Sequence, residues 1–597
     1  MAAPMATGTS PTAMGPAPTM PADQARKGIG AQPKGGPVAN SADRYDRRTF
    51  ITRGATTAAG LALAGVGAPA LLSACGASSP GTSSATTRPG TPGISSARPV
   101  KGGSITIGVS SDIDGFLPAL SHFDATGLTY ANAVFDSLTA IASDASVRPN
   151  LAASVTPNAD LTVWTVALRP NVLFHDGSPL TADVVLQNYK ALKASALTGQ
   201  AVAPISKVTT SGDLSVIYTC DEPLVAFPAY LATQVGYIIA LSQLDNTSSG
   251  SQNPVGTGPF KIVSWQPNDH FTVERNPHYW RKGLPYLDTV TFKPIVSDQS
   301  RESSLRSGTI DLMVSHDPGI IADLQHDSSF QQVTDLTQTT GQPDMDFICL
   351  NTTIEPTNDL TVRQALAYAT NAEQVVRLFG RGVTAVNQSL FPEGSIYRAA
   401  DNGYPKYNLA KAKQLVAQAA ARHGGSITIP LIDITDPRQA EIIQALGSMW
   451  EQAGMKVTLN QIEQVTYISD LVEGKFTAAA DEQFSAPDPD LNYVWLSSTT
   501  ASGPIALNFA RNKDPLLEAA LQKGRTSADK AARIEAYQTV DKRLSADLPY
   551  IWFGRAPWSI TGSDSVMNFA GPILPDGTLA RGFEGGVFSP AQIWMKA

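Results

Sequence analysis

Residues 253–280 read NPVGTGPFKIVSWQPNDHFTVERNPHYW. Asn253-Pro254 and Gly256-Thr257-Gly258-Pro259 punctuate the chain, because proline fixes φ and glycine opens backbone angles closed to other residues. Residues 260–265 follow as a β-rich run. Gln266-Pro267-Asn268-Asp269 has turn composition, and residues 271–274 alternate as a short second strand. Asn276-Pro277 ends it, leaving Tyr279 and Trp280 to pack back. These residues alone specify a hairpin in a globular domain. A phosphate cradle is the competing reading of the glycines, and it is disfavoured: no Lys-Ser/Thr follows and no helix starts there.

Upstream, residues 134–189 read VFDSLTAIASDASVRPNLAASVTPNADLTVWTVALRPNVLFHDGSPLTADVVLQNY. Residues 164–168 alternate as a half-buried strand and Asp176-Gly177 turns the chain. Thr181 is an N-cap, with Asp183 and Val184 opening a helix. These two stretches closely resemble the signatures of the family 5 extracytoplasmic solute-binding proteins, the dipeptide-, oligopeptide- and nickel-binding subunits of ABC importers. One carries F-D-S-L, R-P-x-L-A and L-R-P-x-V-x-F-x-D-G; the other carries GTGPF, a hydrophobic run and N-x-x-Y-W.

A chain of 597 residues is too long for one core and implies two to four units. Hydrophobic residues make up 42% and charged residues 16%, the balance of a soluble protein. The net charge of −8 argues against nucleic acid as a partner, since phosphate binding needs a basic face. The three cysteines include no C-x-x-C pair, and the seven histidines lack i,i+4 or H-x-H spacing, so no metal site is expected. No G-x-S-x-G or H-E-x-x-H is present. His175 and Asp176 sit together, but inside the F-x-D-G turn and without a nucleophile motif. No cofactor is expected, and no enzymatic activity.

Residues 1–43 are rich in Ala, Pro, Gly, Thr and Met, with too few bulky apolar side chains for a core. Arg47-Arg48-Thr49-Phe50-Ile51 then precedes a weakly apolar Ala/Gly/Leu run over 54–72, which is long enough to span a bilayer as a signal-anchor. The arginine pair instead matches a twin-arginine export signal, and the run ends in Leu72-Ser73-Ala74-Cys75-Gly76, a lipobox. Cys75 is thus expected to become the lipidated first residue of a protein anchored on the outer face of the cell membrane. Several acyl chains are needed for stable anchoring, since one binds only marginally. Residues 76–99, mostly Ser, Thr, Gly and Pro, form a flexible tether.

Strands and helices alternate through the second half: 345–351, a helical pair over 359–379, 409–421, 426–432, 440–452, 455–459 and 532–544. Such succession argues an α/β lobe with a largely parallel sheet. The resemblance implies an α/β, two-lobe periplasmic-binding-protein-like fold, with an extra subdomain in the first lobe and a two-strand hinge. It divides the chain into a signal region at 1–75, the tether at 76–99, lobe I at 100–348, lobe II at 349–547 and a return to lobe I at 548–597. The hinge is expected near 347–351 and 548–553. Cys220 and Cys349 lie in expected strands, either as a disulfide or as free buried thiols.

What the resemblance implies about function is solute capture. Solute enters the cleft, the lobes close, and an ABC permease with its ATPase recognises the closed form; the protein is expected to act as a monomer. Peptide-binding relatives hold a peptide's amine with an acid just before a D-P-D segment, and dipeptide binders hold its carboxylate with an Arg ahead of an N-P or D-P turn. Here Asp488-Pro489-Asp490 puts Ser485 at the first position, and Asp436-Pro437 puts Asp433 at the second. Both ends of the dipeptide pattern are therefore broken. The remaining polar candidates are acidic: Asp433, Asp481, Glu482 and Asp488, with Trp495 as an aromatic wall. Trp552 and Trp558 are core residues by default, or cleft walls. The expected solute is cationic or amine-bearing, unless these carboxylates are solvated rim residues. A ligand-binding subunit for a sensor and a secreted hydrolase on the same scaffold are the alternative functions.

Overall fold

The GTG turn of the hairpin is fixed by a buried carboxylate. In the computed structural model, which describes residues 93–335, 344–435, 437–503 and 505–596, Asp136 accepts hydrogen bonds from the Thr257 hydroxyl (3.1 Å), the Tyr279 hydroxyl (3.1 Å) and Trp280 Nε1 (2.9 Å). F-D-S-L and GTG…YW are thus two halves of one contact. The glycines permit it: a Cβ on Gly256 would lie 2.0 Å from the Val134 carbonyl oxygen, and one on Gly258 2.4 Å from its carbon. Strands Phe260–Gln266 and His270–Arg275 then pair antiparallel, as the alternation predicts.

That hairpin forms one edge of a seven-stranded sheet. Its spatial order is Phe330–Thr334, Ser559–Ser563, Leu312–Ser315, Ser104–Val109, Thr289–Pro294, His270–Arg275 and Phe260–Gln266. Ser104–Val109 runs parallel to both its neighbours. Apolar residues facing one side, among them Ile107, Phe271, Phe292 and Ile560, are fully buried beneath the helix Ala125–Val134. The extra subdomain is a four-stranded antiparallel sheet, ordered Ala152–Pro157, Val163–Leu168, Ser215–Cys220 and Ile205–Thr210, with its own core around Trp164, Phe227 and Tyr218. Its helix Ala182–Ala194 is capped by Thr181, whose side chain accepts from the Val184 amide.

Lobe II is built on a five-stranded sheet ordered Lys456–Ile462, Thr428–Ile434, Ala478–Gln483, Met345–Leu350 and Tyr550–Arg555. The first three run parallel to one another, and Met345–Leu350 is antiparallel to the strands on either side. Helices Leu360–Ala369, Leu409–Ala420, Pro437–Gln452 and Lys530–Asp547 surround it. Trp450, Phe347 and Trp552 are buried to within 1%.

The crossing points differ from the expected hinge. Met345–Leu350 and Tyr550–Arg555 both belong wholly to the lobe II sheet, where they pair from Cys349 with Tyr550 to Met345 with Arg555. The chain therefore changes lobe just before Met345 and again between Arg555 and Ser559, several residues from 348/349 and 547/548. The reason is side-chain pattern: nearly every residue of both strands is buried, so they serve as core-facing strands of the lobe II sheet rather than as linkers. Cys220 and Cys349 are free, buried thiols in separate cores. The signal region with Cys75, the tether up to residue 92, and Asp436 lie outside the described residues. Among the described residues no helix is long and apolar enough to cross a membrane.

Candidate functional site

Both lobes present the carboxyl ends of their parallel strands to the place where the chain crosses, the position at which α/β sheets bind ligands. In lobe II, the strands Thr428–Ile434 and Ala478–Gln483 bring Asp433 and Asp481–Glu482 to this end. In lobe I, Leu312–Ser315 ends at the seam beside the start of Ser559–Ser563, and Phe330–Thr334 delivers Asp335 to it. Asp344 stands on the crossing segment itself, and the turn around Glu584 lies against the same place.

The hydrogen bonds tie these residues into one cluster. Asp344 Oδ1 accepts from the Ser485 amide at 2.8 Å. Asp335 accepts from the Trp558 amide at 3.1 Å and from the Gly585 amide at 3.4 Å. Trp558 Nε1 donates to Glu482 at 3.1 Å, and its ring lies 5.1 Å from that of His316. Glu584 is paired with Arg581. Asp481 Oδ1 accepts only from the Glu482 amide, at 2.9 Å, and its Oδ2 is buried without a hydrogen-bond partner among the described residues. Gly586 lets the last turn lie flat here, since a Cβ would meet the Trp558 ring at 2.7 Å.

Burial of so many acids together resists their ionisation. Loss of water pushes Asp335 up to about 7, Asp344 to about 6, Asp481 to about 7 and Glu584 to about 7. The negative charge of Asp344 adds to the effect on Asp335, Asp481 and Glu584. Arg555, half-buried beside Asp335, and Arg581 are the guanidiniums close by. Next to the cluster is a cavity of about 410 Å³, walled by lobe I aromatics such as Phe123, Tyr237 and Phe588, by Glu584, and by Ser485 from lobe II.

The residues expected from sequence separate into two groups. Asp481, Glu482 and Ser485 come together at the seam. Asp433 is only 2% exposed and, like Asp481, acts on the buried Tyr467 hydroxyl, so it lies in the same end of lobe II. Asp488 lies apart, in an ion pair of 2.5 Å with Arg533, and it caps the short turn at Pro489–Asn492. Trp495 packs its ring against Phe509, 5.5 Å between centroids, at the margin of the lobe II core. Of the other tryptophans, Trp552 is core and Trp558 is part of the seam. Sequence reasoning missed Asp335, Asp344 and Glu584. Nothing in their local patterns marks them, because only the double crossing gathers residues so far apart in the chain. Among the described residues, no group of three or more His, Cys, Asp or Glu is arranged to hold a metal ion.

Known proteins match this architecture. Residues 146–504 match the family model described as bacterial extracellular solute-binding proteins, family 5 Middle. The glutathione-binding protein GsiB of Pectobacterium atrosepticum is 26% identical over 477 residues, covering 76% of this chain and 88% of its own. The nickel-binding periplasmic protein of Escherichia coli is 27% identical over 449 residues, covering 70% and 83%. Among solved structures, the oligopeptide-binding protein AppA of Bacillus subtilis, in complex with a nonapeptide, superposes with a TM-score of 0.73 at 21% identity, covering 84% of this chain and all of that one.

Proposed function

Because this chain belongs to the bacterial extracellular solute-binding proteins, family 5, we propose that it captures a cationic or amine-bearing solute at the acidic seam between its lobes and delivers it to an ABC permease with its ATPase. The family consists of binding proteins, so the activity is capture rather than turnover. The relatives are named for different ligands, glutathione in one case and nickel in another. The solute of this chain therefore has to be read from its own side chains.

The observation that carries the reading is the charge imbalance at the seam. Among the described residues, Asp335, Asp344, Asp481, Glu482 and Glu584 gather with Arg555 and Arg581 close by, and Asp481 keeps one buried carboxylate oxygen without a hydrogen-bond partner. Unpaired buried charge is costly, and a bound cation offsets it. The ion also favours the closed clamp, because both lobes contribute carboxylates that meet only on closure. Binding at micromolar strength supplies roughly 8 kcal/mol, ample to shift an open–closed equilibrium near balance. A basic oligopeptide and a polyamine-like compound both fit this chemistry. Capture on behalf of a membrane sensor would use the same site.

Native mass spectrometry of protein purified from its own host tests the reading. A co-purified cationic compound, lost in Asp344→Asn, is the expected result; a neutral or anionic compound retained in that variant would exclude it. The anchor belongs to the same proposal: Arg47-Arg48 and the Leu72–Cys75 lipobox support twin-arginine export and lipidation at Cys75. A Cys75→Ala variant should appear as soluble protein or unprocessed precursor, and processed protein still on the membrane would rule lipidation out.

A further inference from the structure

The lobes also meet away from the crossings, where the inserted subdomain touches lobe II, and one side chain there is buried in an ionic network of the other lobe. Tyr230, on the short helix Phe227–Tyr230 of the subdomain, is 4% exposed; Asp490 and Arg525 of lobe II are 0% and 4% exposed. Arg525 Nε donates to Asp490 Oδ1 at 3.0 Å. The Tyr230 hydroxyl donates to Asp490 Oδ2 at 3.0 Å and accepts from Arg525 Nη2 at 3.0 Å. The Arg525 guanidinium also lies 3.4 Å above the Tyr493 ring. Around this centre, the Val225 amide donates to the Arg525 carbonyl at 3.2 Å, Gln522 bonds Glu222, and Gln200 donates to the Ile505 carbonyl at 3.1 Å.

We propose that Tyr230 is a closure latch: its hydroxyl completes the Asp490–Arg525 pair only when the subdomain is docked on lobe II, and it thereby sets solute affinity without touching solute. The physical asymmetry lies between the two states. With the subdomain docked, water is excluded, and the hydroxyl is the group that meets both Asp490 Oδ2 and Arg525 Nη2. With the subdomain withdrawn, water takes its place on both ions at little cost. Removing the hydroxyl therefore penalises the docked state alone, because a buried charged group that loses a hydrogen bond suffers the full desolvation loss. A change confined to the docked state shifts the open–closed equilibrium, and apparent affinity follows the docked fraction. The extra subdomain then has a role of its own in capture, beyond shaping the cleft. The inference goes further than the solute reading, and it is tested without any solute.

The test uses the full-length protein with spin labels introduced at Lys207→Cys on the subdomain and Lys530→Cys on lobe II, both exposed positions. Pulsed electron resonance gives the distance distribution of the parent and of Tyr230→Phe, and hydrogen exchange follows the Val225 amide alongside amides of Met345–Leu350. In Tyr230→Phe a longer-distance population should appear, and Val225 should exchange roughly ten-fold faster, while the central strand keeps its protection. An unchanged distance distribution with unchanged Val225 exchange would overturn the latch. So would equal acceleration at Val225 and in the central strand, since the variant would then have loosened lobe II itself rather than released a contact.

Discussion

Asp481 has one carboxylate oxygen on a backbone amide and the other buried without a hydrogen-bond partner among the described residues, and its protonation follows from that placement. Its proton is held to about pH 7 in the folded protein, against about 4 for an unfolded chain. Between those values the folded state binds more protons than the unfolded one, so stability falls as pH rises and the loss is complete above about 7. Asp335, Asp344 and Glu584 act in the same direction. An Asp481→Asn variant lacks the charge that is penalised. Relative to the parent, its unfolding free energy should improve by about 1–3 kcal/mol between pH 4 and pH 8. Urea unfolding of both proteins at the two pH values checks this; a difference independent of pH would mean that the site is well hydrated. The same carboxylate is proposed to hold the cation, so the variant gains stability where it loses binding.

The hairpin and its partner segment show what sequence can carry at the scale of elements. Alternation, turn residues and the Thr181 cap mark strands and a helix correctly because each is determined within a few residues. The meeting of Asp136 with Thr257, Tyr279 and Trp280 joins residues more than a hundred apart, and only the resemblance hinted that both ends matter. Replacing Asp136 by Leu would leave the buried Thr257 and Tyr279 hydroxyls and the half-buried Trp280 Nε1 without this acceptor, and should cost about 3–5 kcal/mol. Denaturant unfolding measures it, and a loss below about 1 kcal/mol would show that the contact is ornamental to the fold. The seam was less legible. Ser485 is suggested by the D-P-D segment and Asp481 and Glu482 by the small-residue run before them, and the fold brings all three to the seam. Asp335, Asp344 and Glu584 follow no local period and acquire meaning only where two crossings converge. Asp488 and Trp495 stood near the same segment, yet a guanidinium and a phenyl ring of lobe II engage them.

At the scale of the molecule, two α/β lobes face each other across carboxylates contributed by both, with a latched subdomain to one side. A solute that neutralises the seam stabilises the closed form and displaces the protons that burial had retained there, so capture and proton release are coupled. Titration calorimetry at pH 6.5, repeated in two buffers of different ionisation enthalpy, reads both at once for a linear triamine, trilysine and dialanine. The expected result is that at least one of the cations binds and releases protons, that dialanine does not bind, and that Asp344→Asn and Asp481→Asn each weaken the cation by about ten-fold. Tight binding of dialanine, undiminished in both variants and without proton release, would contradict it.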